Sequence, residues 1–84
     1  MSHARDVAEA VVAALVDRPQ AVRVTESEHR DGAVIEVSVA GDDLGRVIGR
    51  QGRTATAIRT LVMATAERDG TRVSVDFRDE HGQR

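Results

Sequence analysis

The sequence contains no cysteine, no lysine, no tryptophan and no tyrosine, and it has one proline and one aromatic residue, Phe77. The lack of cysteine excludes disulfides, thiolate nucleophiles and cysteine-ligated metals, and it suits a reducing compartment. The lack of lysine excludes a Walker-type phosphate loop. No apolar run approaches the ~20 residues that span a bilayer, and the amino terminus lacks the apolar stretch of a signal peptide. We therefore expect a cytoplasmic protein.

The remaining composition is typical of one small domain. The chain has 84 residues and is 40% apolar, with 13 valines and 12 alanines. A domain of this size buries only roughly 60–65% of its unfolded surface, so we expect a thin core. We predict one domain over residues 1–78 and a polar tail over residues 79–84.

Charge is unevenly distributed along the chain. The net charge is −2, but residues 44–66 contain four arginines and no carboxylate, so they carry +4 and the rest carries −6. The four arginines are Arg46, Arg50, Arg53 and Arg59. A cationic segment on an otherwise acidic domain indicates binding of an anion at one place, and arginine is well suited to binding phosphate.

Hydrophobic periodicity predicts the element order α-β-β-α-α-β. The predicted elements are a helix over 3–17, strands over 21–29 and 33–39, a short helix containing Leu44, Val47 and Ile48, a helix over 53–68, and a strand over 72–78. The Asp31-Gly32 pair predicts a hairpin turn, and Asp42-Asp43 predicts a helix cap. The predicted apolar face of the first helix is Val7, Val11, Ala14 and Leu15. That of the long helix is Ala55, Ile58, Leu61, Val62 and Thr65.

This element order predicts an α+β fold. A helical crossover separates the second and third strands, which favours parallel pairing between them, whereas the hairpin partner is antiparallel. We therefore predict a three-stranded mixed sheet covered on one face by three helices.

Two glycines, Gly49 and Gly52, lie between the short and the long helix. Glycine lets a ligand approach the backbone closely, and the second glycine precedes a helix N-terminus, whose dipole favours an anion. With Arg46, Arg50 and Arg53 nearby, a run of phosphates is the expected ligand. The alternative for an isolated G-x-x-G is a tight turn between two helices.

The stretch Val47-Ile48-Gly49-Arg50-Gln51-Gly52, with Ile58-Arg59 in phase behind it, resembles the signature of the KH domain. The element order over residues 4–78 resembles the bacterial type II arrangement. At this length the chain is similar to the KhpA family, the small stand-alone KH proteins of bacteria. It differs in having arginine at several positions where relatives have lysine, which keeps the charge.

The resemblance implies an RNA-binding protein whose G-x-x-G loop holds about four nucleotides of single-stranded RNA. It places the bases in an aliphatic groove between the two helices and a strand. The residues assigned to RNA are Gly49, Arg50, Gln51, Gly52, Arg53, Arg46, Val47, Ile48, Ile58 and Arg59. For Val47, Ile48 and Ile58, plain core packing is an open alternative. The near-absence of aromatic residues excludes base stacking of the RRM or OB-fold kind.

The resemblance also implies partners. It predicts a homodimer, or a heterodimer with a KhpB-type protein (also called Jag or EloR) that carries KH and R3H domains. It further implies RNA chaperoning, post-transcriptional regulation and a role in cell elongation and wall synthesis. The alternative is a KH-shaped protein–protein interaction module whose RNA binding is weak or incidental.

No feature of the sequence predicts an enzyme, a cofactor or a metal site. The glycine spacing differs from a Rossmann fingerprint. His3, His29 and His81 have no metal-ligand spacing, and the serines have no evident His–acid partners. We therefore predict a binding protein without catalytic residues.

Overall fold

The computed structural model describes residues 2–82, which form three α-helices on one face of a three-stranded sheet. The elements are α1 (His3–Leu15), β1 (Arg23–His29), β2 (Gly32–Val39), α2 (Leu44–Ile48), α3 (Arg53–Arg68) and β3 (Val73–Asp79), with 3-10 turns at Pro19–Ala21, Gly41–Asp43 and Arg50–Gly52. The predicted order and the α+β fold class are confirmed. No helix within residues 2–82 has the length and apolar character needed to cross a bilayer.

The sheet has the strand order β1-β2-β3 and is mixed, as predicted. β1 pairs antiparallel with β2, with Val24 opposite Val37, and β3 pairs parallel with β2, with Val75 opposite Ile35. The central strand β2 is the deepest, because it is flanked by a strand on each side and covered by helices. Its inward side chains Ile35, Val37 and Val39 are fully buried.

The apolar face predicted for α1 is wrong, because a different set of residues on the helix faces the core. The buried residues are Ala4, Ala8 and Val12, whereas Val7 and Val11 pack at the margin of the core and Ala14 and Leu15 are exposed. The small alanine side chains let α1 lie close against β1 and α3. The helix also ends at Leu15, two residues earlier than predicted.

The face of α3 is narrower than predicted. Ala55, Ile58, Val62 and Ala66 are buried, but Leu61 is 47% exposed and Thr65 is half-buried. The buried residues recur every three or four positions and form one stripe against the sheet and α1. Leu61 lies one position before Val62, about 100° around the helix, and therefore faces away from this stripe.

Asp43 does not act as the helix cap that the sequence predicts. Its side chain makes no capping hydrogen bond and is instead buried, at 2% exposure. It accepts hydrogen bonds from the backbone N–H groups of Asp17 and Arg18, each at 3.1 Å. Those N–H groups are free because α1 has already ended. A buried carboxylate needs such donors, so Asp43 fixes the segment after α1 to the start of α2.

An arginine side chain covers one outward carbonyl on each edge of the sheet. On β1, Val24 O accepts from Arg5 Nε at 3.2 Å and Nη2 at 3.0 Å. On β3, Val75 O accepts from Arg59 Nε at 3.0 Å. Hydrogen bonding to the Glu9 carboxylate raises the pKa of Arg5. Both edges of the sheet therefore carry a charged side chain, which disfavours pairing with a foreign strand.

The end of the last strand lies close to its predicted position. β3 continues to Asp79, and the Glu80 carboxylate accepts a hydrogen bond from Gly41 N at 3.2 Å. The division into a domain over residues 1–78 and a tail over 79–84 stays a prediction. Gln83 and Arg84 of that tail lie outside the described residues.

Candidate nucleic-acid interface

The loop Gly49–Gly52 reverses the chain between α2 and α3 with an unusual backbone. Gly49, Gln51 and Gly52 all have positive φ, at 75°, 57° and 73°. Gly49 N donates to Gly45 O at 2.8 Å, which closes α2, and Gly52 N donates to Gly49 O at 3.1 Å, which closes the turn. Within the loop, Arg50 and Gln51 are exposed. The loop therefore presents two polar side chains between two glycines.

Gly49 is required at its position for two reasons. Its φ of 75° and ψ of 174° lie in a region that is essentially restricted to glycine. A Cβ at this position would also collide with Thr54 Oγ1 and lie 2.7 Å from Thr54 Cβ. Gly49 thus allows the first turn of α3 to approach the end of α2. At Gly52 a Cβ would meet no atom within 4 Å, so only its left-handed conformation favours glycine there.

The electrostatics of the loop favour an anion. Among residues 2–82, no carboxylate pairs with Arg50 or Arg53. Arg53 Nη2 donates instead to the neutral Gln51 Oε1 at 2.6 Å. The first turn of α3 has no acidic residue and no side-chain cap, so its positive dipole end is not neutralised by a local carboxylate.

Arg46, which the sequence groups with the loop arginines, lies in a different environment. Its Nη2 is 3.0 Å from Asp17 Oδ2, and its Nε is 3.3 Å from Asp43 Oδ1. Two carboxylates of the same domain therefore balance its charge. The structure brings Arg50 and Arg53 to the loop, and it directs Arg46 to this acidic pair. Sequence spacing could not reveal this, because Asp17 is 29 positions away.

The aliphatic residues assigned to the groove are mostly buried. Val47 is 0% exposed and Ile58 is 3% exposed, which agrees with the alternative of core packing. Ile48 is half-buried and packs against the edge of the core. Ile48 is therefore the member of this set that offers apolar surface beside the loop, while a direct ligand contact by Val47 or Ile58 stays a prediction.

Arg59 lies about two turns into α3 and spans from this helix to β3. Besides the bond from its Nε to Val75 O, its Cζ is 5.1 Å from the centroid of the buried Phe77 ring. This distance is typical of a cation–π contact. Sequence analysis singled out Arg59 but did not predict that Phe77 would hold it. The only signal was the inward position of Phe77 in an alternating strand.

A model of the family described as "KhpA/KhpB, KH domain" matches residues 5–77 of the chain. The chain is 56% identical over 70 residues to RNA-binding protein KhpA of Leifsonia xyli, covering 83% of this chain and 90% of that protein. It is 51% identical over 75 residues to RNA-binding protein KhpA of Mycobacterium tuberculosis, covering 89% and 92%. For the protein of the same name from Caldanaerobacter subterraneus, the identity is 46% over 72 residues, covering 86% and 96%.

Solved structures of Era share the fold. Aquifex aeolicus Era, as a point variant bound to GDP and aluminium fluoride, superposes with a TM-score of 0.66 at 17% identity. Era in complex with MgGDPNP and nucleotides 1506–1542 of 16S ribosomal RNA superposes with a TM-score of 0.64 at 16% identity. Each match covers 90% of this chain and 29% of the Era chain. At these identities the similarity concerns the fold alone.

The family model thus spans most of the chain, and the named relatives match it over nearly their whole lengths. The matched range includes both glycines of the loop and the helices on either side of it. The chain belongs to the KhpA/KhpB family of KH domains.

Proposed function

We propose that this protein binds single-stranded RNA by holding the sugar–phosphate backbone at the loop Gly49–Gly52. The observation that carries the proposal is a glycine-flanked loop with two arginines, Arg50 inside it and Arg53 directly after it, that no carboxylate among residues 2–82 neutralises. The relatives named above are RNA-binding proteins. The family is not an enzyme family, so the prediction that the chain is not an enzyme is confirmed.

The geometry supports a phosphate ligand at the loop. The absence of a Cβ at Gly49 and Gly52 lets a phosphate approach the main chain, and the N-terminal end of α3 adds a favourable dipole. The guanidinium groups of Arg50 and Arg53 can each donate two parallel hydrogen bonds to phosphate oxygens. Gln51 accepts from Arg53 and so orients that side chain.

Nucleotides beyond the loop would follow α3 towards β3. Ile48 provides apolar surface beside the loop, and Arg59 lies further along the helix at the edge of β3. The remainder of the chain carries a net charge of −6, which disfavours non-specific binding of RNA elsewhere on the surface. We therefore propose a short binding site for an unpaired strand, with modest affinity.

We further propose that the protein acts with a second RNA-binding module. A site with only a few phosphate contacts gains affinity when a linked module raises its effective concentration on the same RNA. The proposed assemblies are a homodimer or a heterodimer with a KhpB-type (Jag/EloR) KH/R3H protein. The proposed role is that of a cytoplasmic RNA chaperone and post-transcriptional regulator in cell elongation and wall synthesis.

The second candidate function is a protein–protein interaction module with incidental RNA binding. The observation that favours it is the pair of open sheet edges on β1 and β3, where outward backbone groups could pair with a partner strand. Against it, Arg5 and Arg59 each occupy one carbonyl of these edges. RNA binding by the isolated protein separates the two candidates.

We expect the wild-type protein to bind a fluorescein-labelled, unstructured RNA 12-mer in an anisotropy titration. Two to four phosphate contacts predict that log K falls with log salt with a slope between about −1.4 and −2.8. A blunt duplex of the same sequence, as the control, should bind much more weakly. If the single strand does not bind at low salt and a protein partner is recovered instead, the interaction module is the correct function.

The different environments of Arg46 and Arg50 predict unequal effects on RNA binding. Arg50→Ala should remove one phosphate contact, weakening binding about fivefold at 0.1 M salt and making the slope shallower by about 0.7. Arg46→Ala should change affinity less than twofold, because Asp17 and Asp43 already neutralise that charge. It should instead lower the melting temperature, since Asp43 loses a partner. Equal changes of slope in the two variants would show that Arg46 contacts phosphate.

A further inference from the structure

The open edge of β3 next to α3 presents outward backbone groups beside the side chain of Arg59. In the parallel ladder with β2, Ala33 N donates to Arg72 O, so alternate residues of β3 turn their backbone groups away from β2. Val75 is one of these outward residues. Its carbonyl already accepts from Arg59 Nε at 3.0 Å, whereas its N–H points to the open edge.

Arg59 adds further donors at the same place. A guanidinium has five N–H donors, and the bond to Val75 O uses only the one on Nε. Among residues 2–82, neither Nη1 nor Nη2 of Arg59 has a hydrogen-bond or ion-pair partner. The contact with the Phe77 ring and the bond to Val75 O together hold the group in place. Four oriented N–H donors therefore remain available at the open edge of β3.

The position of Arg59 places these donors within reach of an RNA held at the loop. Arg59 is seven residues after Gly52, which corresponds to about 10 Å along a helix axis. This distance equals about three stacked nucleotide steps of 3.4 Å, and fewer steps when the strand is extended. A strand of about four nucleotides fixed at the loop can therefore bring one base to Arg59.

We propose that Arg59 selects guanine at this base position, an inference that rests on the proposed RNA binding. Guanine presents two adjacent acceptors, N7 and O6, which match an arginine fork. Adenine presents N7 beside an amino group, and that amino group would need an acceptor. In the pose that suits guanine, that amino group would instead face a second N–H donor of Arg59, so adenine is disfavoured by an unpaired donor as well as by a lost bond.

Base selection is tested by competition against a labelled RNA with unlabelled uridine octamers. Each octamer carries one guanosine, adenosine or 7-deazaguanosine at successive positions. At one position, guanosine should compete at least about fivefold better than adenosine, as expected for a bidentate arginine contact. The 7-deazaguanosine octamer, which lacks N7, should lose most of this advantage.

Variants of Arg59 distinguish base selection from a structural role. Arg59→Ala should abolish the guanosine preference and improve adenosine relative to guanosine, because it removes the N–H donors that match guanine and oppose the adenine amino group. The salt slope should stay unchanged, because no phosphate contact is lost. Arg59→Lys, which retains a charge and a donor to Val75 O, should keep the melting temperature but lose the sensitivity to 7-deazaguanosine. It thus serves as the test if Arg59→Ala is poorly folded.

The outcomes separate this inference from the proposed function. Wild-type protein that binds the guanosine, adenosine and 7-deazaguanosine octamers equally at every position overturns the role of Arg59 and leaves the loop assignment standing. A slope that becomes shallower by about 0.7 in Arg59→Ala, with equal loss for all octamers, makes Arg59 a phosphate contact and also overturns it. Wild-type protein that binds no single strand overturns both.

Discussion

Replacing Arg50 and Gln51 together with aspartate should remove measurable binding of single-stranded RNA while leaving the domain folded. The double substitution changes the charge of the loop from +1 to −2, directly where the phosphates are proposed to lie. Loss of one phosphate contact costs about fivefold at 0.1 M salt, and repulsion by two carboxylates adds to this. We therefore expect an affinity loss of about 100-fold or more in the anisotropy titration.

The fold should tolerate this change for reasons visible in the loop. The side chain of Arg50 is exposed and has no partner among residues 2–82, so its replacement breaks no contact of the folded domain. Gln51 has a φ of 57°, a conformation that aspartate adopts more readily than most residues. A carboxylate at position 51 also keeps an acceptor for Arg53. The melting temperature should therefore change little.

A matched control places the same charge change far from the loop. Ser27→Asp with Arg30→Asp also lowers the net charge by three, but at the β1–β2 end of the domain, which borders the carboxyl-terminal half of α3. That half of α3 is about 15–20 Å from the loop, beyond the Debye length of about 10 Å at 0.1 M salt. Binding should be weakened far less. Equal losses in both variants would mean that net charge, and not the loop, determines RNA binding.

The second large effect is on the free energy of unfolding, and we expect it to differ between the two glycines of the loop. Gly49→Ala should lower the free energy of unfolding by roughly 3 kcal/mol, because the backbone conformation is restricted to glycine and the new Cβ collides with Thr54. Gly52→Ala should cost only about 1 kcal/mol, since its Cβ meets no atom within 4 Å and only the left-handed conformation opposes it. Urea unfolding measures both values.

Gly45→Ala provides the control for this pair. Gly45 lies inside α2, its φ is not positive, and a Cβ there would meet no atom within 4 Å. Alanine should therefore stabilise the protein by about 0.5–1 kcal/mol through its higher helix propensity. For a domain of 84 residues with a total stability of roughly 4–13 kcal/mol, the loss at Gly49 is a large fraction. A loss at Gly49 no greater than that at Gly52 would contradict the proposed packing against Thr54.

The fold could be predicted because its signals are local. Alternating valines define β2 and β3, and the Asp31-Gly32 pair marks the hairpin, whose two turn residues are Arg30 and Asp31. The incorrect predictions concern which side of a helix faces the core. Val11 and Val12 are both apolar, and only the position of the sheet determines that Val12 is buried. The apolar spacing of α3 predicts an inward Leu61, yet the smaller Ala66 occupies the buried stripe instead.

The candidate site could be predicted only in part, for a similar reason. The glycines and Arg50 act through their own conformation and charge, which sequence reveals. The roles of Arg46 and Arg59 depend on partners far away in the chain. Arg46 is neutralised by Asp17, and Arg59 is held by Val75 O and Phe77. Such contacts have no signature in spacing, because they arise only when α1, α3 and β3 have come together.

The hydrogen bonds from Asp17 N and Arg18 N to the Asp43 carboxylate determine which of these three positions tolerates substitution. The donors to its carboxylate are main-chain N–H groups, which every residue type except proline supplies. Positions 17 and 18 can therefore accept many different side chains without loosening the support beneath α2, apart from the ion pair that Asp17 makes with Arg46. Position 43 has no such freedom, since only a short, buried acceptor with two oxygens fits both donors.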